Sequence, residues 1–406
     1  MKRLIPGLAL LALLLAGCAP AETQPVETTT PPATEVPATE APEIRPPETE
    51  APETTAPPDP VDLMMAEMTL EEKVGQLFIV TPEALAGSEE TVTEVTWDVE
   101  LGLTDYPVGG VILFAGNIIS PEQVTELNEG LQEASELPLF LAVDEEGGIV
   151  ARLANNDAFD LPKYRSAAAV GASGERSDAL EMGYTIGGYL RQYGFNLDFA
   201  PVADVNTNPD NPVIGTRAFS SDPETAALLA DAMAMGLRQQ GIIPVFKHFP
   251  GHGDTAEDSH EGIAVSYKTE EEMLECEWLP FLEAGWGDCV MVGHIAAPEL
   301  TGDLTPATMS AEIVTGILRE KLGFGGLIVT DSLSMGAITE NYTSGEAALN
   351  ALKAGCDILL MPEDLGEAYA AVLAAVEDGR ISLERLDGSV RRILEYKIVA
   401  GILNVE

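Results

Sequence analysis

The chain of 406 residues is long enough for one large domain or two ordinary ones, and 46% of its residues are hydrophobic. Its formal net charge of −46 at pH 7 opposes binding to nucleic acid and adhesion to anionic surfaces. These properties indicate an acidic globular protein and argue against nucleic acid as a partner.

Residues 1–18, MKRLIPGLALLALLLAGC, have the organisation of an export signal. Lys2 and Arg3 precede an apolar run that is too short to span a bilayer as a helix. The sequence LAGC, ending at Cys18, resembles a bacterial lipobox, in which cleavage leaves the cysteine as a lipid-modified N-terminus. An ordinary secretory signal is the alternative. We expect Cys18 to anchor the mature protein to the outer face of a membrane through acyl chains.

Residues 19–60 differ sharply in composition from the rest of the chain. They contain 12 of the 28 prolines, many Thr, Ala and Glu residues, and no aromatic residue. Such a segment buries too little apolar surface to offset its chain entropy, so we expect a disordered, partly polyproline tether. Its function would be to hold the following domain away from the membrane.

Short apolar runs alternate with amphipathic segments from residue 61 onward. Thr69 followed by Glu72 predicts a capping box at the start of a helix that leads into the first strand. Helices are predicted over PEQVTELNEGLQEASE (121–136) and PETAALLADAMAMGLRQQG (223–241). The predicted strands are eight: Leu77–Val80, Gly109–Phe114, Leu137–Asp144, Leu197–Asp204, Ile242–Phe249, Cys289–Ile295, Gly326–Asp331 and Asp357–Pro362.

This alternation favours an α/β fold, a (β/α)8 TIM-like barrel formed as a single catalytic domain by residues 61–406. An open doubly wound sheet is the second possibility. No GxGxxG fingerprint follows any of the predicted strands, which weakens the case for a dinucleotide-binding fold.

Polar residues stand at five of the predicted strand ends. They are Asp144, Asp204, Lys247 with His248, His294 and Asp331. The carboxyl ends of the strands of such a barrel converge on one mouth. Each residue alone is compatible with a cap or a turn, but the five ends together predict one pocket.

Three of the four histidines lie in KHFPGHGDTAEDSHEG (247–262). His248 and His252 have the spacing of two metal ligands on one helix face. Pro250, Gly251 and Gly253 make a helix there improbable, so we predict no metal site.

Acid–base catalysis is the other interpretation of the same segment. Asp258 and His260 are two residues apart, so an extended backbone would point both side chains the same way. A carboxylate on one imidazole nitrogen fixes the tautomer and leaves the other nitrogen as a proton donor. A solvated turn is the alternative. Asp331 at a strand end adds a carboxylate with no neighbouring cation in the sequence. A carboxylate nucleophile that faces a proton donor is the arrangement of retaining glycoside hydrolysis.

The remaining cysteines, Cys276, Cys289 and Cys356, are odd in number and lie in apolar or helical contexts. We therefore expect small core residues rather than disulfides.

The chain resembles glycoside hydrolase family 3, and within it the branch of β-N-acetylglucosaminidases that act in peptidoglycan recycling. The resemblance covers residues 62–406 and rests on six motifs in family order. They are MTLEEKVGQL, AVDEEGGIVARL, LDFAPVADVNTNPDNPVIGTRAFSSDP, KHFPGHGDTAEDSH, VMVGHI and VTDSLSMGAI.

The resemblance implies roles for individual residues. Asp331 matches the nucleophile, His260 the general acid/base and Asp258 its partner. The sugar-binding positions are matched by Asp144, Arg152, Arg217, Lys247, His248 and, less closely, His294. His252 and Asp254 are expected to shape the loop. Glu145 and Ile149 stand where relatives often carry Gln and Arg, so we expect changes at the pocket rim.

The resemblance further implies a hydrolase that needs no cofactor and releases N-acetylglucosamine from cell-wall fragments. Because the sequence ends at Glu406, the single-domain form is expected. A monomer is expected as well. An extracytoplasmic, lipid-anchored enzyme of this kind suits a Gram-positive surface. The alternatives are transfer of the sugar to phosphate, broader β-glycosidase activity, and a non-catalytic sugar-binding lipoprotein, which has no need for a nucleophile and a proton donor.

Overall fold

The computed structural model describes residues 59–257, 262–285 and 287–404. The predicted signal peptide with Cys18, nearly all of the predicted tether, and the pair Asp258 and His260 lie outside these ranges. Within the described ranges, no helix has both the length and the apolar character needed to cross a bilayer.

Eight parallel strands form the central sheet of the described chain. Their order around the sheet is β7-β6-β5-β4-β3-β2-β1-β8. The strands are Phe78–Val80 (β1), Gly110–Ile112 (β2), Phe140–Val143 (β3), Leu197–Asp198 (β4), Ile243–Phe249 (β5), Cys289–Val292 (β6), Leu327–Thr330 (β7) and Leu359–Leu360 (β8). All eight lie within or overlap the predicted runs.

The sheet closes into a barrel between β7 and β8. A parallel bridge joins Val329 and Ile358, and the Leu360 N–H donates to Thr330 Oγ1 at 2.9 Å. Below the bridge, the buried Asp357 carboxylate accepts the Ile328 N–H at 3.0 Å. The fold is therefore the predicted (β/α)8-type barrel and not an open sheet.

Helices precede, connect and follow the strands of the described chain. They are Pro60–Glu67 (α1), Leu70–Gly75 (α2), Pro82–Ala86 (α3), Trp97–Asp105 (α4), Pro121–Ala134 (α5), Ala167–Gly171 (α6), Arg176–Gln192 (α7), Pro223–Gln239 (α8), Glu270–Glu275 (α9), Leu279–Leu282 (α10), Pro298–Thr301 (α11), Gly336–Thr339 (α12), Ser344–Ala354 (α13), Leu365–Glu377 (α14) and Leu383–Val399 (α15). A π-helical segment, Glu312–Lys321, connects β6 to β7, and short 3-10 turns occupy Gly215–Arg217 and Ala307–Met309.

The local signals in the sequence explain where several helices begin. Thr69 and Glu72 form the predicted capping box of α2. The two predicted long helices are α5 and α8, each with a proline at its start and a side-chain cap, from Ser120 and Asp222. Strand β4 is shorter than the predicted run because Pro201 has no N–H for a ladder hydrogen bond.

Two of the three cysteines in the described chain fit the prediction. Cys289 and Cys356 are buried and free. Cys276 is also free but only partly buried, so its assignment to the core is wrong. It follows α9 at a helix end, where the side chain is not enclosed by the barrel and its helices.

One lysine is completely enclosed between α15 and the barrel. Lys397 Nζ donates to Gln76 Oε1 at 2.7 Å and lies 5.0 Å from the centre of the Phe140 ring. Burial lowers the pKa of this lysine to about 7, because neither Gln76 nor the Phe140 ring carries a negative charge that could offset desolvation.

Replacing Lys397 by methionine is expected to stabilise the protein by ~2 kcal/mol at neutral pH, since a buried charge gives way to a hydrophobic side chain of similar size. The pKa of Lys397 falls from 10.5 in the unfolded chain to about 7 in the folded protein. The unfolded state therefore binds more protons between these values, and wild-type stability rises with pH across the window. Urea unfolding of wild type and Lys397→Met at several pH values measures the difference in their free energies of unfolding, which should shrink towards pH 10.5.

The exposed Lys353 provides the control, because the free energy of unfolding of Lys353→Met should differ from that of wild type by the same amount at every pH. A difference between Lys397→Met and wild type that does not change with pH would contradict the prediction.

Candidate active site

A pocket of about 470 Å³ lies at the carboxyl ends of the barrel strands. It brings together six of the predicted site residues. Asp144 follows β3, Lys247 and His248 belong to β5, and Asp331 follows β7, with Arg152 and Arg217 reaching in from loops. The other lining residues are Ile112, Phe114, Glu146, Val150, Phe199, Val213, His252, Met291, Ser332, Ser334, Met335, Gly336, Leu360 and Met361.

Asp331 is fixed by the backbone at the end of β7. Its N–H donates to the Val292 carbonyl of β6 at 2.8 Å, which continues the ladder between the two strands. Its Oδ1 accepts the Ser332 N–H at 2.8 Å. The carboxylate is therefore held in one orientation while it remains accessible from the pocket.

The electrostatic surroundings keep Asp331 ionised. Burial alone would raise the pKa of this carboxyl, but His248, His294, the Ser332 N–H and Lys247 together hold the pKa below its ordinary value. An ionised carboxylate at neutral pH is the form that can attack as a nucleophile.

Lys247 and Arg217 are joined by a buried carboxylate, Glu146, that does not stand at a predicted strand end. Lys247 Nζ lies 2.7 Å from both Asp144 Oδ1 and Glu146 Oε1. Arg217 binds Glu146 in a bidentate manner, with Nε–Oε2 at 2.8 Å and Nη2–Oε1 at 2.7 Å. Burial opposes ionisation of Glu146, yet the two cations hold its pKa far below 4.5. Glu146 therefore fixes the geometry of two predicted sugar-binding residues.

A two-stranded ribbon sets the positions of the acidic motif. Glu145–Gly147 pairs antiparallel with Val150–Ala151, and the turn between them uses Gly147 and Gly148 at φ +80° and +78°. Arg152 follows the ribbon, and the turn brings it back towards Asp144 at the start of the acidic motif. The alternation of side chains along an extended chain could have identified Glu146, because it lies on the same side as Asp144.

Arg152 has donor capacity left for a ligand. Its Nη2 lies 3.6 Å from Asp144 Oδ2, and the guanidinium stacks over Phe114 at 5.5 Å from the ring centre. Its Nε is buried and has no hydrogen-bond partner in the described chain. The side chain as a whole is 28% exposed and lines the pocket, so its Nη groups can donate to a ligand there.

Glu145 does not reach the pocket rim, so the expectation of a rim effect there is wrong. Its carboxylate is completely buried and accepts the N–H groups of Leu153 and Ala154 at 2.8 and 2.9 Å and the Tyr189 hydroxyl at 2.8 Å. Burial outweighs these hydrogen bonds and raises its pKa. Ile149, at the ribbon turn, is exposed and does not line the pocket.

His248 and His252 both contact Asp204. Asp204 Oδ2 accepts from His248 Nδ1 at 2.7 Å, and its Oδ1 accepts the His252 N–H at 2.7 Å. His252 follows β5 in an irregular segment, as the glycines and Pro250 predicted, so the two rings are not stacked on a helix face. The described residues contain no group of three or more His, Cys, Asp or Glu side chains suited to a metal.

The segment that leads to Asp258 and His260 is anchored as far as the described residues extend. Gly253 packs so closely that a Cβ would lie 1.8 Å from the Val205 carbonyl oxygen. Asp254 Oδ2 accepts the Ser266 hydroxyl at 2.7 Å. His252 also contributes, through Nδ1 to Thr255 Oγ1 at 2.7 Å, while its ring lines the pocket. Asp258 and His260 themselves lie outside the described residues.

His294 is buried and is not one of the side chains that line the pocket. Its Nδ1 lies 3.0 Å from Thr308 Oγ1 and its Nε2 lies 2.8 Å from the Ser332 carbonyl oxygen. In this position it supports the backbone directly after Asp331.

The sequence of the barrel matches the glycosyl hydrolase family 3 N terminal domain over residues 69–396. The chain belongs to glycosyl hydrolase family 3. The family predicted from the six motifs is thereby confirmed.

Similar members of family 3 are known from curated sequences and solved structures. Beta-hexosaminidase A of Pseudoalteromonas piscicida is 36% identical over 73% of this chain and 54% of that protein. Beta-hexosaminidase LpqI of Mycobacterium tuberculosis is 34% identical over 82% of this chain and 84% of its own length. The structure of a family 3 β-N-acetylglucosaminidase from Paenibacillus sp. has a TM-score of 0.77 at 38% identity, covering 84% of this chain and 64% of that chain. This chain thus spans about half of the first relative and under two thirds of the last.

Proposed function

We propose that this family 3 protein is a retaining exo-β-N-acetylglucosaminidase, which removes terminal N-acetylglucosamine from cell-wall fragments or related glycosides. The observation that carries the proposal is the ionised Asp331 carboxylate in a pocket that also presents Lys247, Arg217 and Arg152. The names of the similar proteins, beta-hexosaminidase and β-N-acetylglucosaminidase, support the same reaction class.

The reaction proceeds in two displacements. Asp331 attacks the anomeric carbon, the glycosidic C–O bond breaks, and His260 gives its proton to the leaving oxygen. His260 then removes a proton from water, and the resulting oxygen attacks the same carbon and releases Asp331. The two inversions give net retention of configuration. Asp258 fixes the tautomer of His260 and raises its basicity.

The charged cluster around Lys247 holds the sugar for this attack. Lys247, Arg217 and Arg152 donate to hydroxyl oxygens, while Asp144 accepts from hydroxyl groups. His248, oriented by Asp204, completes the set. Since Glu146 already pairs with both Lys247 and Arg217, these cations are in place before the sugar arrives.

We also propose the cellular setting from residues 1–60. Lipid modification of Cys18 and an extended tether place the barrel outside the cytoplasm at a bacterial membrane surface. The barrel acts there as a monomer on carbohydrate substrates.

Product analysis by proton NMR tests the proposed reaction. The first sugar released from an aryl β-N-acetylglucosaminide is expected to be the β-anomer, before mutarotation mixes the two forms, because two displacements at one carbon retain its configuration. The same assay is run with inorganic phosphate added. If sugar 1-phosphate is the main product, the reaction is phosphorolysis and not hydrolysis. If the first product is the α-anomer, a covalent intermediate on Asp331 is ruled out.

A further inference from the structure

A buried asparagine joins the two loops that follow β4 and β5. Asn211 lies in the loop between β4 and α8, is 7% exposed, and does not itself line the pocket. Its Nδ2 donates to the carbonyl oxygens of His252 at 2.8 Å and Thr255 at 3.0 Å, both in the segment after β5. Its Oδ1 accepts the N–H groups of Val213 at 2.9 Å and Ile214 at 2.7 Å in its own loop. The side chain therefore connects the backbones of the two loops.

The amide of Asn211 uses its hydrogen-bonding capacity on main-chain groups. An amide nitrogen offers two donors and an amide oxygen two lone pairs, and each of these meets a backbone partner. Only one orientation of the amide fits, because its nitrogen faces carbonyl oxygens and its oxygen faces N–H groups. A buried amide that is satisfied in this way is held in one position and fixes the backbone groups that it binds.

On one side, the hydrogen bonds of Asn211 support a cation of the pocket. Val213 lines the pocket, and its carbonyl oxygen accepts Arg217 Nη1 at 3.2 Å. The Ile214 carbonyl oxygen accepts the Arg217 N–H at 2.8 Å. Asn211 thus fixes the two residues whose carbonyl oxygens orient Arg217.

On the other side, the hydrogen bonds support the segment that precedes the proposed acid/base pair. Thr255 is buried and stands three residues before Asp258 and five before His260. Asn208 Nδ2 donates to the same Thr255 carbonyl oxygen at 2.9 Å, so this oxygen accepts from two asparagines of one loop. The loop after β4 therefore fixes the backbone at Thr255.

We propose that Asn211 is a positioning residue for catalysis, which holds the segment leading to Asp258 and His260 in place relative to Arg217. The inference rests on the proposed glycosidase function. Arg217 binds the sugar, whereas His260 gives its proton to the leaving oxygen of the same sugar, so the two must keep their relative positions. A displacement of about 1 Å in such an arrangement costs about 10²-fold in rate. Asn211 acts through the backbones of the two loops and not through contact with the substrate.

Asn211→Asp breaks one half of this connection. The carboxylate keeps both acceptor bonds in its own loop but loses the two donors that face the His252 and Thr255 carbonyls. We compare kcat/KM for a nitrophenyl and a phenyl β-N-acetylglucosaminide, because phenolate needs a proton to leave and nitrophenolate does not. The nitrophenyl-to-phenyl ratio is expected to rise about tenfold, while kcat/KM for the nitrophenyl substrate stays within about threefold of wild type.

Asn211→Ala breaks both halves. It also removes the acceptor for the Val213 and Ile214 N–H groups, which support Arg217. In addition to the rise in the ratio, kcat/KM should fall about tenfold for the nitrophenyl substrate, whose hydrolysis needs the bound sugar but not the proton.

Asn128→Asp is the matched control. Asn128 is buried on α5, outside the pocket, and its Nδ2 donates to the Tyr193 carbonyl oxygen at 2.8 Å. The same substitution removes a buried donor that faces a carbonyl, so it should lower stability and leave the kcat/KM ratio at the wild-type value. An unchanged ratio in Asn211→Asp, or an equal rise in both variants, would overturn the proposal.

Asn208→Asp decides the question if the Asn211 variants do not fold. It removes one donor to the Thr255 carbonyl at a half-buried position, and the ratio should rise by about threefold. The wild-type ratio in this variant would also overturn the proposal. The nitrophenyl substrate separates the two levels of inference. If wild type does not hydrolyse it, the glycosidase function fails; if wild type does and the ratio is unchanged in the variants, only the role of Asn211 fails.

Discussion

Asp331→Ala is expected to lower kcat/KM for an aryl β-N-acetylglucosaminide by about 10⁴-fold or more, because the carboxylate that attacks the anomeric carbon is removed. The loss should appear in kcat, since the pocket cations that hold the sugar are unchanged. The variant should fold normally. In the described part of the chain, the Asp331 carboxylate accepts one hydrogen bond, from the Ser332 N–H, and the shorter side chain leaves room for water. Initial rates with wild type and variant measure the effect.

Chemical rescue distinguishes a nucleophile from a structural carboxylate. The space left by Asp331→Ala admits azide, which would attack the anomeric carbon once and yield the α-glycosyl azide, the inverted product. Asp303→Ala is the control. Asp303 is an exposed loop residue outside the pocket, and its carboxylate accepts the Thr305 N–H. An Asp331→Ala protein with near wild-type turnover, or rescue that gives the β-azide, would exclude Asp331 as the nucleophile.

The architecture and one half of the site follow from simple patterns in the sequence. A strand that is buried on both faces has a short continuous apolar run as its sequence pattern, and this pattern predicts each of the eight strands. The residue after such a run lies at the barrel mouth, and this rule alone located Asp144 and Asp331. The limits of the rule are also physical. It cannot tell a side chain that enters the pocket from one that turns behind it, and His294 lies behind Ser332.

The acidic motif shows that the sequence pattern does not predict which residue each acid contacts. Asp144, Glu145 and Glu146 are three consecutive acids with three different surroundings. Asp144 meets Lys247, Glu145 turns into the protein towards Tyr189, and Glu146 bridges Lys247 and Arg217. Glu146 and Arg217 are 71 residues apart in the sequence, and neither composition nor periodicity predicts that they are in contact.

The charged residues of the pocket are ordered before a ligand binds. The cations Lys247 and Arg217 face Asp144 and Glu146, so a bound sugar meets donors and acceptors whose positions are already fixed. This arrangement suits a neutral sugar with many hydroxyl groups.

Glu146→Gln is expected to destabilise the fold by ~3 kcal/mol and to raise KM at least tenfold, since removing one partner of a buried ion cluster leaves the other charges uncompensated. Lys247 would then keep its contact with Asp144, while Arg217 would lose the charge of the carboxylate that it binds at two atoms. The sign of the pH dependence is fixed by the pKa. Because the pKa of Glu146 is held far below 4.5 in the folded protein, its contribution is complete above that value and is lost as the pH falls. Urea unfolding and Michaelis kinetics on the two proteins measure both effects.

Glu145→Gln is the matched control for Glu146→Gln, because the two residues are adjacent, completely or almost completely buried, and lose the same charge. Glu145 has only neutral hydrogen-bond donors, and its raised pKa shows that burial already disfavours its charge. Its replacement by glutamine should leave KM unchanged, because Glu145 does not line the pocket, although the new amide NH2 group would face a buried N–H donor and lower stability by about 1–3 kcal/mol. Equal effects of the two substitutions would mean that loss of buried charge alone decides the outcome. A large effect confined to Glu146 would locate the interaction in its contacts with Lys247 and Arg217.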